Sequence, residues 1–137
     1  PQALSADDVA RGAEVFGAAG CADCHDGPRG TGTQRVTYAA VGTDDAYRYL
    51  LDPDLTGDAF DLPAELHHML QPTRLTGLWT KPTLLHNGSV DGLDALLCVD
   101  GPRDLVTEYG FGNQGHEQGC GLGPDDKDAL IAFLLTL

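Results

Sequence analysis

The sequence predicts an all-α fold in a single domain, and three observations carry that expectation. Amphipathic helix patterns stand near both ends of the chain, the segments between them show little of the alternation that strands require, and 137 residues is the size of one ordinary domain.

The first helix is expected from about Ala6 to Ala18. Ser5 followed by Asp8 resembles a capping box, with Asp where Glu or Gln is usual, and Val9, Ala13 and Phe16 then fall on one helical face. Gly20 ends this helix and Cys21 follows at once, so helix and cysteine motif form one unit. Asp26 to Thr43 is rich in Gly and Thr and reads as loop, with a short extended piece around Arg35 to Tyr38. Short helices are expected at Asp44 to Leu51, stopped by Pro53, and at Pro63 to Leu70, stopped before Pro72. Leu93 to Cys98 reads as one or two further turns. Six of the fourteen residues from Gly110 to Gly123 are glycine, which disfavours helix and strand alike and predicts a loop holding His116. Pro124 suits a first helical turn, and Asp125 and Asp126 complement its positive end. Leu130, Phe133, Leu134 and Leu137 recur at helical spacing, so the last element is an amphipathic helix.

Hydrophobic residues at 42% and charged residues at 21% are ordinary for a soluble globular protein, and no apolar run approaches membrane-spanning length. No signal peptide is visible at Pro1, which says nothing about export, because a mature form would have lost one. Acidic residues outnumber basic ones 21 to 8, for a net charge of −13. Phosphate binding needs clustered Lys and Arg, so nucleic acid is excluded as an expected partner, and a basic protein surface is the natural target. Solubility alone is the blander use of the same carboxylates.

Cys21-Ala22-Asp23-Cys24-His25 is the haem-attachment pattern. Two thiols three positions apart can add to the two vinyl groups of one porphyrin, while the adjacent imidazole approaches the iron. Three other chemistries compete for these residues. A structural zinc site wants a second cysteine pair, whereas Cys98 and Cys120 are single and 22 positions apart. A thioredoxin-like pair sits at a helix start in a βαβ unit, and this motif follows a helix. A disulfide between Cys21 and Cys24 would close a very small, strained loop.

Gly12, Phe16 and the motif, with a terminal helix bearing Phe133, resemble the class I cytochrome c fold. The resemblance implies that the first and last helices cross, with a small residue such as Gly12 at the crossing and aromatics beside it. Arg74-Leu75-Thr76-Gly77-Leu78-Trp79, followed by Leu85-His86-Asn87-Gly88-Ser89-Val90, resembles the C-terminal haem domain of dihaem peroxidase-like proteins, most of all the rubber oxygenase branch. Gly112-Asn113-Gln114-Gly115-His116-Glu117 and the helix from Asp126 to Leu137 look like that branch's C-terminal end. Two departures stand out: Leu84 occupies a position that is often Tyr there, and the preceding haem domain is absent. Because oxygen or peroxide chemistry in those dihaem enzymes belongs to that preceding haem, the resemblance implies electron transfer.

With His25 on one side of the iron, the other side takes Met, His or nothing. The candidates are His67, His68, Met69, His86 and His116. His116 precedes the last helix, where class I cytochromes place their sixth ligand, and the rubber oxygenase resemblance implies a late histidine. Met69, the single methionine, is the alternative, with core filling as its ordinary fate. His67 and His68 cannot both face inward on a helix. The resemblance implies that His86 structures its loop by hydrogen bonding. Arg74 and Trp79, and more weakly Lys81, are expected to donate to the haem propionates.

Thioether attachment implies maturation outside the cytoplasm, in the periplasm or beyond the cell, where free thiols oxidise. Cys98 and Cys120 are then natural disulfide partners, worth roughly 3 kcal/mol in the chain-entropy model, with two buried free thiols as the alternative. The expected whole is a monohaem class I cytochrome c carrying single electrons between redox proteins. The competing function is a small haem enzyme with an open iron, using His86 or a helix histidine as acid or base. A haem sensor, or a domain detached from a larger protein, is a third reading.

Overall fold

Ser5 starts the first helix as its chemistry predicts. In the computed structural model, which describes residues 4–45 and 69–137, helix α1 runs Ala6–Ala18. The Ser5 hydroxyl accepts from the Asp8 N–H at 3.0 Å, which is the N-cap half of the box, while the Asp8 carboxylate takes the Ser5 hydroxyl proton at 2.6 Å instead of the Ser5 backbone N–H. Gly20, with φ +76, turns the chain directly into helix α2, Cys21–Cys24.

Helix α5, Pro124–Leu134, begins with Pro124 in its first turn and carries Asp125 and Asp126 there, and it crosses α1. The crossing is centred on Gly12. A Cβ built on that residue would lie 2.0 Å from the Ala129 carbonyl oxygen and 2.6 Å from Phe133 Cβ. No side chain fits, and the absence of one is what lets the helices touch. Phe16 and Phe133 pack beside it, with ring centroids 5.5 Å apart. The face that α1 turns inward therefore runs through Gly12, Val15 and Phe16; Ala13, expected on that face, is exposed because the close approach rotates the contact onto the glycine. Leu130 is fully buried, in a cluster with Leu75, Leu78, Leu97 and Leu134. An exposed Arg11–Asp126 ion pair at 2.8 Å adds little to this packing.

Between these helices the described residues form short pieces. Strand β1 (Val36–Thr37) pairs antiparallel with β2 (Met69–Leu70), Val36 opposite Leu70 and Thr37 opposite Met69. The extended piece expected near Arg35 is thus present. The helix expected to end at Leu70 is corrected at its last two residues, where pairing with a distant segment overrides local preference; residues 63–68 lie outside the described residues. Helix α3 (Tyr38–Val41), capped by the Thr37 hydroxyl accepting from the Ala40 N–H, stands where only loop was expected. Asp44 and Asp45 are not helical, and the remainder of the helix expected there, 46–51, also lies outside. The buried Asp44 carboxylate instead accepts from the N–H groups of Gly110 and Gly112. Strands β3 (Thr83–Leu84) and β4 (Val90–Asp91) form a hairpin, and α4 (Gly92–Leu96) follows where turns were expected. Residues 110–123 form only turns and loop, as their glycine content predicts. The architecture is all-α in class, with these small strands as additions. Among the described residues no helix is long and apolar enough to cross a membrane.

Candidate functional site

Cys21 and Cys24 share one face of α2, three positions apart, and both are half-buried free thiols. Burial pushes the Cys21 thiol up, and the charges of Cys24 and Asp23 add to this. A thioredoxin-like nucleophile needs the opposite shift. His25 closes α2, with its N–H on the Cys21 carbonyl at 2.9 Å. Its Nδ1 lies 2.9 Å from the Gly30 carbonyl oxygen. A carbonyl only accepts, so Nδ1 carries the proton and Nε2 presents a lone pair, the form in which imidazole binds metal. The turn Pro28–Gly30 sets that carbonyl in place. Behind it, the Asp26 carboxylate accepts from the hydroxyl and N–H of Thr33, which hold it below the usual carboxylate range.

His116 is held from the other side of the sequence. It adopts φ +50, a left-handed conformation that costs a non-glycine residue of order 1 kcal/mol, and its N–H donates to the Val41 carbonyl at 2.9 Å. Gly115 beside it packs so closely that a Cβ would lie 2.6 Å from the Thr43 nitrogen, and its carbonyl accepts from the Arg103 guanidinium. Burial above all, with a smaller contribution from the positive charge of Arg103, holds His116 below the usual histidine range. His116 Nδ1 is buried without a hydrogen-bond partner among the described residues. Two free thiols, an oriented imidazole and a second, half-buried imidazole with an unpartnered buried Nδ1 fit a covalently attached haem.

Cys98 and Cys120 form a disulfide. The free-thiol alternative is overturned, and a zinc site loses the two cysteines it would have needed. Lys127, 7% exposed, donates to the Cys98 carbonyl at 2.6 Å and ties α5 to this bridge. His116 lies within the closed loop.

The other expected residues are placed as follows. Met69 is half-buried in β2, and His67 and His68 lie outside the described residues. Arg74 and Trp79 are both exposed, Trp79 to 72%, and Lys81 Nζ donates to the Arg74 carbonyl at 3.3 Å. His86 packs edge-on against Tyr38 at 5.5 Å; desolvation of its ring lowers its pKa, opposed by Asp44. Its neighbours Asn87 and Ser89 both donate to the Gly112 carbonyl, so this turn braces the glycine-rich loop. Sequence reasoning missed the Gly30 carbonyl, which no side-chain pattern reveals. It also missed Arg103, whose signal was its isolation as a cation in an acidic stretch.

A family model described as Cytochrome c matches residues 9–137. The chain is 34% identical to the uncharacterized protein y4iJ of Sinorhizobium fredii over a match covering 56% of this chain and 19% of that protein. It thus spans about a fifth of that relative's length. No solved structure matches.

Proposed function

This chain belongs to the cytochrome c family, whose members bind haem and carry electrons, and from that premise we propose that it carries single electrons on one covalently held haem between His25 and His116. The observation that supports this most is the attachment motif itself, with the Cys21 and Cys24 thiols on one face of α2 and the His25 ring turned by the Gly30 carbonyl so that Nε2 is the nitrogen left to bind iron. The haem, when bound, supplies a one-electron ferric/ferrous couple. Cys21 and Cys24 would hold it by thioethers, the Gly30 carbonyl fixes the His25 ring, and the Val41 and Arg103 contacts fix the His116 loop. Two firm protein ligands limit rearrangement between oxidation states, which suits transfer. Arg74 and Trp79 are proposed as propionate donors, with Met69 the alternative sixth ligand.

The likeness to the electron-passing half of dihaem peroxidase-like proteins belongs to the same reading. Thioether chemistry and the Cys98–Cys120 bridge support maturation in an oxidising compartment, the periplasm or the exterior. Optical spectra of oxidised and reduced protein test the proposal. Low-spin bands in both states and slow carbon monoxide binding are expected. Rapid carbon monoxide binding or substantial peroxide turnover would replace it with an open-iron enzyme. Acidified organic extraction should leave one haem on each chain.

A further inference from the structure

The loop between Arg103 and Gly115 is built in an unusual way, because its backbone is pinned while its large side chains face water. Asn113 exchanges hydrogen bonds with Val106 in both directions, at 2.9 and 3.0 Å, and its amide donates to the Asp104 carbonyl. Phe111 N–H bonds the Glu108 carbonyl, and the buried Asp44 carboxylate holds Gly110 and Gly112. Yet Leu105 is 60%, Val106 46% and Phe111 68% exposed. Apolar side chains on a mobile loop would cost little to display; on a fixed backbone they form a preorganised contact surface. The rim is acidic. Asp104 and Glu108 are exposed, and from Asp104 to Asp126 the sequence has five acidic residues and no Lys or Arg.

We propose that this loop is the surface on which a redox-protein partner docks, a partner whose apolar contact patch is ringed by Lys and Arg. The assignment rests on the electron-carrier reading above and names the face it uses. Charge complementarity selects the rim and excluded apolar area holds the centre. The platform is also tied to the segment that carries His116. The Cys98–Cys120 bridge encloses both the loop and His116, and both lean on the same segment, His116 on Val41 and the loop on Asp44. One electron leaves this chain and reduces the partner; no atom is transferred.

The test uses reduced holoprotein and stopped-flow oxidation by two oxidants, a basic mitochondrial-type ferricytochrome c and ferricyanide. Leu105→Ser/Phe111→Ser should slow the protein oxidant roughly tenfold, the loss of about 1.4 kcal/mol of contact, with an unchanged visible spectrum and a ferricyanide rate within about twofold of the wild type. Leu4→Ser, another exposed leucine, should change neither rate. Should the double variant fold poorly, Glu108→Lys places the opposite charge on the rim and should slow the basic protein oxidant while leaving oxidation by anionic ferricyanide unchanged or faster. Wild-type rates with the protein oxidant in both loop variants would overturn the docking assignment and leave the electron-carrier reading standing. Failure of the wild type to reduce even ferricyanide would defeat that reading instead. Dimerisation in sedimentation that the double variant abolishes, with wild-type oxidation rates, would give the surface to a second copy of this chain and overturn the proposal.

Discussion

His25 and His116 are prepared for one task by different means. A backbone carbonyl sets the tautomer of His25, whereas burial lowers the pKa of His116. His116→Ala should therefore convert the haem to high spin or open it to carbon monoxide, while Met69→Ala leaves the visible spectrum almost unchanged. The reverse outcome assigns the ligand to Met69. His86 makes a separate prediction about pH. Its folded pKa lies below the ordinary value of 6.5, mainly through ring desolvation, so the unfolded chain takes up that proton first as pH falls. The stability this group contributes is complete above about pH 6.5 and is lost on acidification towards the lower folded value. Urea denaturation at pH 7.5 and 5.5 should show a smaller acid loss in His86→Gln than in the wild type.

The α1–α5 crossing turns on one missing side chain. In an ordinary helix position Gly→Ala stabilises by about 1 kcal/mol, but at Gly12 the added carbon meets the Ala129 carbonyl, so Gly12→Ala should destabilise by about 1–3 kcal/mol in urea denaturation. A stabilised variant would refute the close approach. Removing the bridge with Cys98→Ser/Cys120→Ser should cost about 3 kcal/mol by the same measurement. Both features were legible in the sequence for identifiable reasons. α1 and α5 are set by local periodicity and caps, the role of Gly12 was implied by the resemblance to the class I cytochrome c fold, and the bridge followed from the cysteines left after haem attachment. The β1–β2 pairing was not legible, because Met69 and Leu70 become strand only through contact with a segment more than thirty residues earlier. Nor was the His25–Gly30 bond, since every residue carries a carbonyl and only the folded turn selects this one.

Charge belongs to the molecule as a whole. The five His residues aside, the chain carries −13 on 137 residues, and the described cations are largely committed or outnumbered: Lys127 is buried against Cys98 and Arg11 is paired with Asp126. What reaches solvent is a negative field whose range is set by screening, about 10 Å at 0.1 M salt. If that field steers a basic partner onto the molecule, the bimolecular rate must fall as ionic strength rises, while electron transfer within the docked pair stays constant. Stopped-flow oxidation by basic ferricytochrome c should therefore slow steadily between about 10 mM and 0.5 M salt, and the saturating rate at high partner concentration should not change. An acidic partner of the same size should show the opposite slope. A rate independent of salt would mean that the carboxylates serve solubility alone, and would leave the apolar surface of the Leu105–Phe111 loop to account for docking by itself.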